Sequence, residues 1–189
     1  MQVARSDKLI YGIGAFGYGS VNQMLNNFLM FYTINEKEQM QRKETMHNES
    51  ISKYGSELKF APETFGNPNI DFVRMNDHLT RVYFLQGTIR HDVIPFGNDY
   101  SIDFDENLKP IAFRRYHRSL IDSPIKNDKG EEAKFLFHTH LKDNPFITPT
   151  DICNFLLYRP KNMDGFMVAS EAYNCMFMFS VNQHRIVVQ

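Results

Sequence analysis

His138 and His140 stand two residues apart in the run Lys134-Phe-Leu-Phe-His-Thr-His140. A short apolar and aromatic run of this kind predicts a strand, and residues two apart on a strand project from the same face. Both imidazoles can then address one ion, while Phe135, Phe137 and Thr139 face the other way. Asp151 lies at the start of the helix predicted next, after a loop containing Asn144 and Pro145. A loop that returns to the strand end can bring its carboxylate beside the imidazoles. Two His, one carboxylate and an open fourth position form the donor set of a catalytic zinc site rather than a closed structural one. The chain has 2 cysteines, Cys153 and Cys175, too few for a thiolate site or a disulfide scaffold. A metal on this chain is therefore held by His and carboxylates.

The segment from His138-Thr-His140 through seven residues to Thr148-Pro-Thr-Asp151 resembles the H-x-H-x7-S-x-x-D pattern of the JAMM/MPN metalloproteases (JAB domain). The resemblance covers residues 70–188 approximately, with an apolar strand before the first His, a helix starting at the Asp and a strand, Phe-Met-Val-Ala-Ser170, after it. Members of that family are zinc-dependent peptidases and isopeptidases, many cleaving ubiquitin-like conjugates, and some are inactive scaffolds. The resemblance implies a JAB/MPN-like fold of the cytidine-deaminase type, zinc held by His138, His140 and Asp151, and a Thr148 hydroxyl that helps stabilise an oxyanion where the family has Ser. Leu141 stands where the family usually has Pro. The family's general base is a Glu upstream, beside a strand ending in Gly. The counterpart strand here, Val82 to Gly87, has no Glu in it or just before it. Asp77 is the nearest carboxylate, Glu57 and Glu63 lie farther off, and Gln86 cannot take a proton. The expectation is metal-assisted hydrolysis of a peptide or isopeptide bond. The alternative is a non-catalytic MPN-type binding module without the base.

Single residues of the constellation also have plainer readings. Thr148 as N-cap, Pro149 as first helical residue and Asp151 three after the cap make a good helix start without any metal, though that does not explain two in-phase His upstream. Arg114-Arg115-Tyr116-His117-Arg118 invites a nucleic-acid reading. On a chain with 21 basic and 22 acidic residues and a net charge of -1, a solvated strand is the expectation, and no nucleic-acid partner follows. Met176-Phe-Met-Phe179 reads as a buried strand.

The elements around the constellation read as α/β, a mixed β-sheet with helical cover. Tyr100 to Phe104 alternates, Asp105-Glu106-Asn107 turns, and Pro110 to Tyr116 returns. Asp151 to Tyr158 carries Ile152, Phe155 and Leu156 on one helical face. Phe166 to Ser170, Cys175 to Val181 and Arg185 to Val188 are three closing strands. Ahead of this body, residues 36–58 are charged and polar and read as a solvated helix or linker, which places the domain at 59–189.

Residues 1–35 stand apart as a helical appendage. From Leu9 to Asn35 no residue is charged, a length that would cover a bilayer span. The text from Lys8 to Thr33 resembles the first membrane span of the glycoside-pentoside-hexuronide cation symporters. A transporter needs many spans, and no later stretch is apolar long enough, so the segment reads as a membrane-like or extraneous leader. It suggests membrane contact through residues 9–35 of a protein otherwise expected in the cytoplasm. Gly12-x-Gly14-x-x-Gly17, with Glu36 about 20 residues on, imitates a dinucleotide fingerprint. The strand-helix alternation that such a domain needs is missing.

Overall fold

The computed structural model describes residues 36–182 and 185–188. The appendage, with its membrane-span and fingerprint readings, lies outside them, and among the described residues no helix is long and apolar enough to cross a membrane. The protein is mixed α/β with mostly antiparallel sheets and few helices. By its contacts the chain divides into two interlaced units.

The first unit is made of residues up to Leu58, Asp71–Tyr83 and Ser101–Arg114. Its helix α1 (Glu36–Tyr54) is the polar stretch read as helix or linker. It buries Met46 and Ser50, four apart and so on one face. Lys53 Nζ donates to the Pro110 carbonyl at 3.0 Å, and the Tyr54 ring stacks on Phe113 at 4.8 Å. Most of the four-stranded sheet β1 (Asn69–Asn76), β2 (Leu79–Leu85), β4 (Tyr100–Phe104), β5 (Pro110–Arg115) falls in this unit, in the order β1-β2-β4-β5. The Arg81 guanidinium grips both oxygens of Asp103, at 2.6 and 2.9 Å.

The second unit comprises Lys59–Ile70, Phe84–Tyr100 and Arg115–Gln189. Here α2 (Pro62–Phe65) precedes β3 (Val93–Phe96), which pairs antiparallel with β6 (Ile121–Pro124). The strand β7 (Phe135–His140) runs parallel to β8 (Gly165–Ser170), and α3 (Pro149–Tyr158) forms the crossover between them. β9 (Cys175–Ser180) and β10 (Arg185–Val188) add antiparallel, giving the order β10-β9-β8-β7. α3 supplies Phe155, fully buried, to a core of Ile94, Phe96, Leu136, Phe166, Val168 and Phe179, with Ile152 and Leu156 packed against it. The expected apolar face of that helix is the one it buries.

β7 alternates strictly: Leu136, His138 and His140 are buried, Phe135, Phe137 and Thr139 exposed. Two imidazoles therefore point into the apolar layer beneath α3, at the C-terminal end of an edge strand. Gly165 faces the opposite end of the same strand. A Cβ there would sit 2.1 Å from the Phe179 carbonyl oxygen, so the close strand packing requires glycine.

Candidate metal centre

His138, His140 and Asp151 come together, and a residue from outside the motif joins them. The ligating atoms of His117, His138, His140 and Asp151 all lie within 4.8 Å of one another, every residue buried, and the group could hold a metal ion. His117 follows β5 in a loop and was expected in a solvated run. Its neighbours Arg114, Arg115 and Arg118 are exposed as such a run demands, but its own ring is 6% exposed. The open fourth position expected from the motif is thus filled by a third imidazole.

The spacing suits a small cation. His117 Nε2 lies 2.8 Å from His140 Nε2, His138 Nε2 is 3.0 Å from His140 Nε2, and the Asp151 oxygens are 3.2, 3.3 and 3.4 Å from the three Nε2 atoms in turn. Four donors about 2.0–2.1 Å from a tetrahedral centre stand about 3.3–3.4 Å apart; the Asp151 separations match this, and the two imidazole separations are shorter.

Hydrogen bonds on the far side of two rings fix what the near side offers. His140 Nδ1 donates to the Phe146 carbonyl at 2.7 Å. His117 Nδ1 donates to Asp99, 2.9 and 3.0 Å from its two oxygens. With Nδ1–H spent in this way, Nε2 of each neutral ring carries a lone pair directed inward. Asp151 Oδ2 accepts from the Thr148 backbone N–H and hydroxyl, each at 2.7 Å, whereas Oδ1 is buried with no hydrogen bond. Converging lone pairs and an orphaned carboxylate oxygen repel one another unless a positive charge lies among them. A cation or protonated rings supply that charge.

Without a metal, the protons make the adjustment. Burial works against a charged His117, but the carboxylates of Asp151 and Asp99 beside it outweigh it and push its pKa up to about 10. Burial between Phe96, at 4.5 Å, and Phe166, at 6.0 Å, holds His138 below the ordinary histidine value, Asp151 opposing. Burial would raise the Asp151 carboxyl, yet the three imidazoles hold it well below the usual carboxylate range.

The helix start organises the acid. Thr148 is the N-cap of α3 and forms a capping box with Asp151, so the helix-start reading and the ligand reading describe the same residues. Thr148 is 6% exposed, its Oγ1 donating to Asp151 Oδ2 and lying 2.8 Å from Thr150 Oγ1. Thr148 thus holds the Asp151 carboxylate in place through its hydroxyl and backbone N–H. Thr150 Oγ1 in turn donates to Asp99 Oδ2.

Asp77 belongs to the first unit. Its carboxylate is 84% exposed and pairs with Arg74 at 2.8 Å. Glu57 is also exposed, with an oxygen accepting from Ser56 at 2.6 Å, and Glu63 lies on the exposed first turn of α2. Cys153 and Cys175 are half-buried and form no disulfide.

A cavity of about 450 Å³ reaches the centre from one side. It is lined by His117, Arg118, Ser119 and Ile121 on one wall and by Thr139, His140, Leu141 and Asn144 on the other. Of the four donors, His117 and His140 alone line it. Gly97, with φ +89, lies behind the His117 loop, where a Cβ would meet the Ser119 carbonyl oxygen at 2.0 Å and the His117 Cβ at 3.2 Å.

His117, Asp99 and Thr150 were not singled out by motif. His117 carries no periodic signal and sits among arginines, and Asp99 lies in a Gly97-Asn98 turn. Thr150 was legible only as part of the helix cap. No protein-family model, curated protein or solved structure matches this chain.

Proposed function

We propose that the protein is a zinc-dependent hydrolase of the JAMM type that cleaves a peptide or isopeptide bond, with protein or peptide substrates that include ubiquitin-like conjugates. One observation carries the reading: four buried donors lie within 4.8 Å of one another, two of them line a cavity, and two have their outer nitrogens already committed. The JAMM-like spacing of three of these donors supports it independently.

When bound, zinc supplies Lewis acidity and lowers the pKa of a coordinated water toward about 7. The chain's residues divide the remaining work. His138, His140 and Asp151 would hold the ion, and Thr148 fixes the Asp151 carboxylate through its hydroxyl and backbone N–H. His117, its Nδ1 donating to Asp99, would offer Nε2 either as a fourth donor to the ion or as the base that takes a proton from water. That role replaces the base expected at Asp77, whose carboxylate is exposed and paired with Arg74.

A second reading, a non-catalytic MPN-type binding module, draws on the ligand count: four protein donors are the full set of a structural zinc site. Metal analysis of the full chain, followed by assay on fluorogenic peptides and a ubiquitin-like isopeptide conjugate, separates the two. One zinc per chain, with cleavage abolished by a chelator and by His140→Ala, is the expected result. Stoichiometric zinc without turnover favours the module. A chain that takes up no zinc overturns both.

A further inference from the structure

The four donors are not held alike. His138 and His140 are fixed by the pairing of β7 with β8, and Asp151 by the first turn of α3. His117 comes from a loop and lines the cavity together with His140, while His138 and Asp151 do not reach it. What holds its ring is a carboxylate: Asp99, 1% exposed, accepts from Nδ1 at 2.9 and 3.0 Å. Asp99 is held in its turn by the hydroxyl of Thr150, on the same helix turn as Asp151. A buried carboxylate is tolerated only where its lone pairs are satisfied, so Asp99 favours the ring orientation in which Nδ1 faces it and Nε2 faces the centre.

We propose that Asp99, locked by Thr150, is a positioning residue that keeps His117 on the metal as a releasable fourth ligand, so that a side-chain clamp decides whether small ligands entering through the cavity reach the ion. The proposal rests on the zinc reading above and adds regulation of the fourth position to it. The clamp joins a loop ligand to the turn that carries a second ligand. A shift of either segment therefore opens the site without dismantling it.

The test uses cobalt(II) in the full chain, with azide as the probe for an open position. In the wild type a four-ligand centre gives the intense visible bands of tetrahedral cobalt, unchanged by azide. His117→Ala, open by design, sets the spectrum and azide response of a vacated position. Asp99→Ala and Thr150→Val are expected to move toward that response, with saturable azide binding and metal affinity lowered by roughly 10- to 100-fold. Thr150→Ser, which keeps the hydroxyl, is expected to match the wild type. Circular dichroism shows whether Asp99→Ala folds, and if it does not, the Thr150→Val and Thr150→Ser pair decides. Folded variants with the wild-type spectrum and no azide binding overturn the clamp while the metal reading stands. A wild type that responds to azide like His117→Ala also overturns it. A wild type that binds no cobalt removes the metal reading and the clamp together.

Discussion

At the scale of single residues, the centre is defined by which atoms have partners outside it. Asp151 offers one oxygen to the cap of α3 and leaves the other bare. Asp151→Asn retains an acceptor for Thr148 but loses the charge. Its zinc affinity is expected to fall by more than the roughly 100-fold typical of outer partners, as read by chelator competition, with the fold intact by circular dichroism. Normal zinc retention in that variant would remove Asp151 from the ligand set. In the first unit, Asp71 gives a pH prediction of opposite logic. Burial raises its carboxyl above the ordinary value of 3.8, against the Phe72 N–H and Lys43. A raised folded-state pKa means that the stability contributed at low pH is lost as pH rises through it. Asp71→Asn is therefore expected to raise the melting temperature near pH 7, with the gain vanishing below about pH 4. Thermal melts at the two pH values check this, and an equal gain at both contradicts it.

At the scale of elements, the motif works because β7 and the start of α3 are both strongly specified. The strict alternation of Phe-Leu-Phe-His-Thr-His could be read from the sequence, since a period of two needs only one buried face. The helix start was equally legible from Thr148-Pro149 and the spacing of Ile152, Phe155 and Leu156. β3 and β6 were not. Val-Ile-Pro-Phe is buried on both faces and shows no alternation, and Ile-Asp-Ser-Pro is short and polar. These two strands flank the loops that supply Asp99 and His117, which is why half of the centre's support escaped the pattern. Two substitutions test the elements directly. Thr148→Ala removes a cap and is expected to cost about 1 kcal/mol by denaturant titration and to weaken zinc binding, whereas Thr148→Ser preserves both. Gly97→Ala combines a positive φ with a clash against the Ser119 carbonyl. It is expected to lower the melting temperature and, by moving the His117 loop, to reduce metal affinity. A variant with only the first effect would separate that loop from the centre.

At the scale of the whole molecule, every donor and both clamp residues belong to the second unit. Zinc is expected to slow hydrogen exchange in 84–100 and 115–170 far more than in α1, because an ion that binds only the folded state stabilises what it touches. Uniform slowing across the chain would contradict that division. The sequence reading placed a polar stretch at 36–58 and a body at 59–189, following composition. The contacts group α1 instead with 71–83 and 101–114, and α1 buries Met46 and Ser50 while Tyr54 stacks on Phe113. Composition along the chain cannot reveal such interlacing, because the strand that meets Lys53 and Tyr54 of α1, β5, has an ordinary half-buried pattern.

The interlacing limits how the gene can be dissected. The polypeptide passes from one unit to the other at 58/59, 70/71, 83/84, 100/101 and 114/115, so no single cut yields two intact halves. A truncation just before Lys59 would leave all four ligands in place yet strip the 71–83 and 101–114 strands of their helix, baring Phe113 to water. Poor solubility of such a fragment would then report a lost neighbour rather than a lost ion.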